Sequence, residues 1–167
     1  MPDEKGEEAA KPAAQAVSGK PGRYLVSTGT KYEFQFGYSR AIRHGSVIRL
    51  SGTAGLNEDG DVVSDDVSGQ LRRALEIMRG SLRELGGDLG DVVMTRIYLA
   101  DMRDADTAAV VHGEVFRDIR PATTIVKSEF VDRRILVEIE AEAVYGGADD
   151  KSSGAAGNPG AAGARGG

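Results

Sequence analysis

The segment "ILVEIEAEAVY" at residues 135–145 alternates strictly between apolar and acidic side chains, and this alternation constrains the fold more than any other feature. Successive residues of a β-strand point to opposite faces of a sheet, so Glu138, Glu140 and Glu142 share one face, with neighbouring carboxylates roughly 6 to 7 Å apart. The other face is apolar and belongs against a hydrophobic core: Val137, Ile139, Ala141 and Ala143. A row of like charges is unfavourable unless it meets water, cations or a ligand. The rest of the chain must therefore compensate the acidic face.

Length and composition predict a single soluble domain. The chain has 167 residues, of which 40% are hydrophobic, and no apolar run approaches the roughly 20 residues that span a bilayer. It carries 21 Lys and Arg against 26 Asp and Glu, whereas nucleic-acid-binding proteins normally present a basic field. We therefore expect no nucleic-acid partner and no membrane partner.

The two ends of the chain differ in composition from its centre. Residues 1–22 are charged and rich in Ala and Pro, without the apolar stretch of a secretory signal, and residues 146–167 are rich in Gly, Ala and Ser. We interpret them as a disordered arm and a flexible tail around a folded domain at residues 23–145. The chain has no cysteine, which excludes disulfides and thiol catalysis, and with no export signal the cytoplasm is the expected location.

Hydrophobic periodicity divides the domain into strands and helices. The predicted elements are two strands at 38–42 and 47–53 around the turn "RHGS", a helix at 65–85, a strand at 91–102, a helix at 104–116, and two strands at 121–130 and 134–145. This order predicts an α+β fold in which two helices cover one face of a sheet. The strands also contain Tyr38, Tyr98 and several apolar residues, so a fully solvated second face is unfavourable. We expect another subunit to cover it.

Six short motifs follow one another at intervals typical of one family. They are "GYSRAI" at 37–42, "LSGTAG" at 50–55, "QLRRALEIMRGSLRELGGDLGDVV" at 70–93, "YLADMRD" at 98–104, "RPATTIV" at 120–126 and "LVEIEAEAV" at 136–144. With these motifs the chain resembles the Rid family, the reactive intermediate deaminases also called the YjgF family, over nearly the whole domain. The resemblance implies a mixed six-stranded sheet with two helices on one face, a chorismate-mutase-like fold. It also implies a homotrimer whose sheets form a central barrel, with three ligand clefts between neighbouring subunits.

The resemblance further implies a chemistry and a set of cleft residues. Active deaminases of the family hydrolyse an enamine or imine, often 2-aminoacrylate, to a keto acid and ammonia, with no metal or organic cofactor. Glu138 matches the glutamate that helps to position water, and Tyr38 matches a tyrosine of the cleft, so these two are the candidate catalytic residues. Ser51, in the second motif, is a candidate substrate-binding residue.

Two cleft positions depart from the family pattern. Thr123 stands where an arginine after "PA" holds the substrate carboxylate, and Arg103 stands where an asparagine follows "DM". An arginine gives a carboxylate two charge-assisted hydrogen bonds and a threonine offers one neutral bond, so affinity for a small acid should fall by on the order of a few kcal/mol. Either the ligand lacks that carboxylate, or Arg103 supplies the charge from another direction. The alternative for Arg103 is a surface residue near a helix start.

Two more candidate substrate-binding residues have structural alternatives. Arg96 is predicted on a strand face with Tyr98, where it either contacts the substrate or forms an ion pair with the acidic row. His112 lies on the second helix, where it is either a ligand and general base or a packed, partly exposed helix residue.

The residues leave two functions open. The first is an enzyme that acts on a small molecule at an imine, enamine or enol centre through positioned water, with Glu138 as acid and base. It would catalyse hydrolysis, or the reverse condensation or cyclisation in a biosynthetic pathway. The second is a non-catalytic trimer that binds a metabolite. An endoribonuclease activity, attributed to some relatives, is disfavoured by the acidic composition.

Overall fold

One mixed sheet organises the part of the chain that the structure, a computed structural model, describes: residues 14–29 and 31–146. The strands are β1 (Gln15–Ala16), β2 (Arg23–Val26), β3 (Ala41–His44), β4 (Val47–Ala54), β5 (Val92–Leu99), β6 (Ala122–Lys127) and β7 (Val137–Val144). The α-helices are α1 (Lys31–Phe36), α2 (Val67–Glu84) and α3 (Ala105–Phe116), and short 3-10 turns cover Leu89–Asp91 and Met102–Asp104.

The strands lie in the order β1-β2-β3-β4-β7-β5-β6. All neighbours are antiparallel except β5 and β6, which are parallel and are connected through α3. A parallel pair needs such a crossover connection. The predicted α+β fold with a mixed sheet is thereby confirmed. The described residues hold seven strands rather than six and three helices rather than two, because β1 extends the sheet edge and α1 was not predicted.

Helix α2 forms where the predicted helix at 65–85 was placed. The Asp66 carboxylate accepts a hydrogen bond from the backbone N–H of Gly69 at 2.9 Å and caps the first turn. Gly86, with φ of 87°, ends the helix in a conformation that suits glycine. The buried stripe packs on the sheet: Val67, Leu71, Ala74, Leu75, Met78 and Leu82. Each such aliphatic side chain contributes roughly 1.5–3 kcal/mol of burial free energy.

The buried side chain of Gln70 in α2 fixes the start of β7 through two hydrogen bonds. Its Nε2 donates to the carbonyl of Arg134 at 2.9 Å, and its Oε1 accepts from the N–H of Leu136 at 2.8 Å. The apolar residues of β7 then face the helices and are 0–2% exposed: Val137, Ile139, Ala141 and Ala143. The predicted core face of this strand is confirmed.

The strand β5 differs from its prediction at one residue. Strict alternation back from Thr95 and Ile97, which are buried, predicts that Val93 is buried too, but Val93 is 48% exposed and Val92 is buried instead. The cause is a register shift against β7 between Val92 and Met94. Such a bulge turns the side chains before it to the other face.

The N-terminal boundary of the folded part also differs from the prediction. Part of the predicted arm, residues 14–22, forms a hairpin in which β1 pairs with β2 and Val17 N–H donates to the carbonyl of Arg23 at 2.9 Å. Residues 1–13 and 147–167, which hold the rest of the predicted arm and nearly all of the predicted tail, lie outside the described residues. None of the described helices is both long and apolar enough to cross a membrane.

The β3–β4 hairpin is confirmed, with Gly45 in its turn at φ of 60°. The first strand begins at Ala41 rather than at Tyr38, because α1 and the turn at Gly37 occupy the preceding residues. Helix α1 is held by Glu33, whose buried carboxylate accepts hydrogen bonds from the hydroxyl of Ser27 and from the N–H and hydroxyl of Thr28.

Candidate functional site

The sheet face opposite α2 and α3 carries the three glutamates of β7. On β5, Tyr98 pairs with Glu138, Arg96 with Glu140 and Met94 with Glu142. On β4, Arg49 pairs with Glu142 and Ala54 with Glu138. Paired residues on neighbouring strands project to the same face. The cross-strand neighbours of Glu138 are therefore uncharged, whereas Glu140 and Glu142 each lie beside an arginine.

Two of the three carboxylates are neutralised inside the chain. Arg96 Nη1 lies 2.5 Å from Glu140 Oε1, and Arg49 Nε lies 3.5 Å from Glu142 Oε2. Burial and a hydrogen bond with Glu140 raise the pKa of Tyr98, so its hydroxyl stays protonated and donates to that carboxylate. The structure thus shows Arg96 as an ion-pair partner of the acidic row, which was the structural alternative for this residue.

Glu138 is different from the other two glutamates. It is half-buried, and among the described residues its carboxylate accepts no hydrogen bond and has no cation within ion-pair distance. Burial raises its pKa above the usual 4.5, and the more distant Arg40 opposes that rise in part. A desolvated carboxylate with free lone pairs can hold and deprotonate a water molecule or a ligand.

A bulge in β4 makes room for this carboxylate. The register between β4 and β7 shifts between Leu50 and Thr53, and a Cβ added to Gly52 would lie 2.8 Å from Glu138 Oε2. The Ser51 hydroxyl donates to the carbonyl of Ser39 at 2.8 Å and fastens the bulge to the segment before β3. Ser51, a candidate substrate-binding residue, therefore shapes the wall of the site.

The guanidinium of Arg40 reaches the same bulge. Its Nη1 donates to the carbonyl of Gly52 at 2.7 Å and to the hydroxyl of Thr53 at 3.2 Å. Its charge lowers the pKa of Glu138 and contributes to lowering that of Glu33. In Glu33 the hydrogen bonds from Ser27 and Thr28 outweigh a larger burial effect that acts in the opposite direction.

Sequence reasoning missed Arg40 as a site residue, although it is part of the motif "GYSRAI". A signal was present: Arg40 precedes Ala41, which is buried, so an extended backbone turns Arg40 to the acidic face. Tyr38, two residues earlier, is 43% exposed and its N–H donates to the carbonyl of Glu33 at 3.1 Å. Tyr38 therefore stands in the same connection as Arg40, with its ring free to contact a ligand.

Thr123 and His112 lie on the opposite face of the sheet from Glu138. Thr123 pairs with Thr95 across β5 and β6, and their hydroxyl oxygens are 2.9 Å apart. His112 Nε2 lies 3.0 Å from the Thr95 hydroxyl, and its ring stacks on Phe116 with centroids 4.5 Å apart. Burial lowers the pKa of His112 below 6.5, so the neutral imidazole is favoured. We call Thr95, His112 and Thr123 the threonine–histidine cluster.

Arg103 does not approach this cluster or Glu138. Its side chain is 90% exposed, and its Nε donates to Asp101 Oδ2 at 2.8 Å. Hydrogen bonds from Arg103 lower the pKa of Asp101 to about 2. Arg103 is thus a surface residue at the start of the turn before α3, which was the alternative for it.

A single chain leaves Glu138 and Thr123 on different faces and encloses neither. Two concavities of the described surface, of about 320 and 330 Å³, are lined by residues of α2 and α3 and by residues of β2 to β4, and Glu138 lines neither. No group of three or more His, Asp or Glu side chains among the described residues is arranged to hold a metal ion. Any cleft that uses both Glu138 and Thr123 must take them from two copies of the chain.

Fold and site together define a class of protein: an α+β chain with helices on one face of a mixed sheet and a half-buried carboxylate at a bulge on the other. Residues 30–145 match the family described as Endoribonuclease L-PSP, and the chain belongs to this family, also known as the YjgF/Rid family. The family resemblance seen in the motifs is confirmed.

Named relatives agree with this assignment. The chain is similar to Rv2704 of Mycobacterium tuberculosis, a solved member of the YjgF/YER057c/UK114 family, with 38% identity over 73% of this chain and 98% of that one and a TM-score of 0.67. It is 34% identical over 125 residues to the uncharacterized protein SCO2049 of Streptomyces coelicolor, covering 74% of this chain and 93% of the relative. It is also 34% identical over 126 residues to the 2-iminobutanoate/2-iminopropanoate deaminase of Mus musculus, covering 74% and 93%.

Proposed function

We propose that the protein is a cytoplasmic enzyme that hydrolyses the C=N bond of a small imine or its enamine tautomer, using water activated by Glu138. The observation that carries this proposal is the state of Glu138: a half-buried carboxylate with raised pKa and with no hydrogen-bond or ion-pair partner among the described residues. Its neighbours in the row, Glu140 and Glu142, have partners and so are unsuited to the role. The name of the mouse relative, an iminobutanoate and iminopropanoate deaminase, supports the same chemistry.

The proposed reaction consumes one water and releases one ammonia. An enamine first takes a proton on carbon and becomes the imine. The Glu138 carboxylate then accepts a proton from water while the water oxygen bonds to the imine carbon. The protonated Glu138 returns that proton to nitrogen, which gives a carbinolamine. Glu138 then carries the remaining hydroxyl proton to the same nitrogen, the C–N bond breaks as the carbonyl forms, and a carbonyl compound and ammonia remain. A carboxyl pKa above its usual value brings the group nearer the working pH and favours both transfers. The reverse sequence is a condensation, so the same site suits imine formation or cyclisation.

We further propose that the working form is a homotrimer with its clefts between subunits. Glu138 and Thr123 lie on opposite faces of one chain, so a cleft containing both requires a neighbour. Light scattering at micromolar concentration should return three times the chain mass. If the protein is instead a stable monomer, Thr123 cannot belong to the same cleft as Glu138, and this part of the proposal is wrong.

The proposal is tested with imino acids formed in situ by an amino-acid oxidase, with release of keto acid and ammonia followed against the uncatalysed rate. Wild-type protein should accelerate hydrolysis of at least one imine of a size series. If no imine reacts faster than in buffer, although the protein binds the corresponding keto acids, the function is that of a metabolite-binding trimer.

The substrate preference should reflect Thr123. Because a threonine replaces the family's carboxylate-binding arginine, hydrolysis of 2-aminoacrylate should be weak compared with a relative that carries the arginine. Thr123→Arg should raise that activity, whereas Thr124→Arg, one residue along the same strand but on the other face, should not. Comparable turnover by the wild type and the arginine-bearing relative would contradict this view of Thr123.

A further inference from the structure

Among the described residues, not every arginine of the acidic face is paired with a carboxylate. Arg96 and Arg49 are paired with Glu140 and Glu142. Arg40 has no carboxylate within ion-pair distance among the described residues, although its field reaches both Glu33 and Glu138. Its charge therefore acts on two carboxylates, and it forms an ion pair with neither.

The guanidinium of Arg40 is also only partly used as a donor. It has five N–H groups. Within the described part of the chain its hydrogen bonds come from Nη1 alone, to the Gly52 carbonyl at 2.7 Å and the Thr53 hydroxyl at 3.2 Å. These two bonds fix the orientation of the guanidinium plane. Within the described residues, the edge formed by Nε and Nη2 has no hydrogen-bond partner. That edge presents two parallel N–H groups, the geometry that a carboxylate accepts as a bidentate partner.

Arg40 and Glu138 flank the same residue. Arg40 Nη1 bonds the carbonyl oxygen of Gly52, while Glu138 Oε2 occupies the space where a Cβ of Gly52 would lie. A ligand at this bulge therefore meets a cation and a half-buried carboxylate side by side. That pairing suits a molecule with an anionic group next to an electrophilic carbon, since the cation offsets the repulsion between the ligand's charge and Glu138.

We propose that Arg40 binds the substrate carboxylate from a different side of the cleft than the arginine that position 123 lacks, so that acids still bind although 2-aminoacrylate is not held as it is in arginine-bearing relatives. The inference rests on the proposed function, because only an enzyme has a substrate, but the binding that it describes can be measured without turnover. Arg40 thus sets specificity while Glu138 moves the proton.

The test compares two probes of nearly the same size, one with the carboxylate and one without it: 2-oxobutanoate, the keto acid of a four-carbon imino acid, and its neutral amide, 2-oxobutanamide. Affinities are measured by ligand-observed NMR or calorimetry on the full chain. Wild type should bind the acid about 10- to 100-fold more tightly than the amide, the range of a charge-assisted hydrogen-bonded pair. Arg40→Gln should reduce this ratio to within about threefold, by loss of acid affinity with amide affinity retained.

Arg49→Gln is the matched control, because it removes the same charge from the same sheet face beside Glu142. It should keep the wild-type ratio. Arg40→Lys keeps a positive charge near Glu33 and Glu138 but loses the planar edge, so its ratio should fall between those of wild type and Arg40→Gln. This second variant keeps the test decisive if Arg40→Gln does not fold.

The inference is overturned if wild type does not prefer the acid, if Arg40→Gln keeps the preference, or if Arg40→Lys matches wild type. Its failure is distinct from failure of the proposed function. If imines are turned over and Arg40→Gln keeps the wild-type ratio of acid to amide affinity, the protein is an enzyme in which Arg40 does not bind the carboxylate. A ratio lost in Arg40→Gln without any turnover would leave Arg40 as the anion-binding residue of a metabolite-binding protein.

Discussion

Glu138 and His112 are both half-buried titratable groups, one on each face of the same sheet, and burial favours the neutral form of both. Their surroundings differ. His112 Nε2 is hydrogen-bonded to the Thr95 hydroxyl and the ring is stacked on Phe116, so one ring nitrogen and one ring face are occupied. Glu138 has only the distant charge of Arg40. A shifted pKa therefore does not by itself mark a catalytic group; the absence of a partner for the shifted group is the more informative feature.

The same comparison shows how a single step of strand register separates candidate residues. Thr123 pairs with Thr95, whereas the next residue, Thr124, pairs with Arg96 and faces the acidic row. Because side chains alternate with a period of two, Thr123 joins the threonine–histidine cluster and not the glutamates. Within one chain, Thr123 therefore lies on the face of the sheet that carries the helices, and Glu138 lies on the open face.

Apart from loss of the Glu138 carboxylate itself, the largest effect that sharpens this contrast is expected at Gly52. Gly52→Ala places a methyl group against the Glu138 carboxylate, which would lie 2.8 Å from it. The carboxylate is the end of a flexible side chain and can move, so the fold should survive. Displacement of a catalytic group by about 1 Å should lower turnover by roughly 10- to 100-fold. Steady-state kinetics and thermal unfolding of the variant check both parts.

Gly55→Ala serves as the contrasting variant. Its Cβ would lie 2.3 Å from the backbone oxygen of Gln70, which cannot move without α2. This substitution should lower the free energy of unfolding by about 1–3 kcal/mol, as overpacking of a core does. If Gly52→Ala loses stability but keeps its turnover, the bulge contributes to folding and not to the reaction.

The next effect is expected in the threonine–histidine cluster. Thr95→Val keeps the shape of a fully buried side chain but removes the hydroxyl that joins His112 Nε2 to Thr123. A polar atom left without its partner costs about 1–3 kcal/mol of unfolding free energy. Urea unfolding should show this loss, while turnover per folded molecule should change far less than in Gly52→Ala. A larger effect on turnover than on stability would make the cluster part of the reaction.

The smallest effects concern pH, and the two faces should respond with opposite sign. The folded pKa of Glu138 lies above the usual 4.5. At pH values between 4.5 and this folded pKa, the folded state holds more protons than the unfolded state, so stability falls as pH rises. The folded pKa of His112 lies below the usual 6.5. At pH values between this folded pKa and 6.5, the unfolded state holds more protons than the folded state, so stability rises with pH.

Substitution of each residue should remove its own slope. Relative to wild type, Glu138→Gln should gain stability as pH rises above 4.5 and show no such gain below it. His112→Gln should lack the wild-type loss of stability that sets in as pH falls below 6.5. Denaturant unfolding across pH 4 to 8 measures both slopes, and slopes of equal sign would contradict the burial of one of the two groups.

Much of this arrangement could be predicted from local sequence patterns. The alternation in β7 predicted both of its faces correctly, and the apolar spacing over residues 65–85 predicted α2, although the structure shows its cap at Asp66. What local patterns could not give depends on pairing between distant segments. The parallel register of β5 and β6 places Thr123 opposite Thr95, and the bulge in β4 admits Glu138 beside Gly52.

Arg40 shows the same limit for a single residue. Its motif was visible, but the position of its guanidinium depends on the Gly52 carbonyl, twelve residues away and across the hairpin. Helix α1 was missed for a related reason: its six residues are too few for a helical pattern, and it is held by hydrogen bonds to Glu33 from the preceding loop.

The central claim, that Glu138 transfers the proton, is tested most directly by the kcat of Glu138→Gln set beside that of Glu142→Gln on one imine. Both variants remove one carboxylate from the same row, but Glu142 is paired with Arg49 and Glu138 has no partner within ion-pair distance in the described chain. Glu138→Gln should keep the fold and lower kcat by about 10²- to 10⁴-fold, the contribution of a positioned acid and base, while Glu142→Gln stays near wild type. Equal kcat for wild type and Glu138→Gln would contradict the claim and make the glutamate row a structural feature.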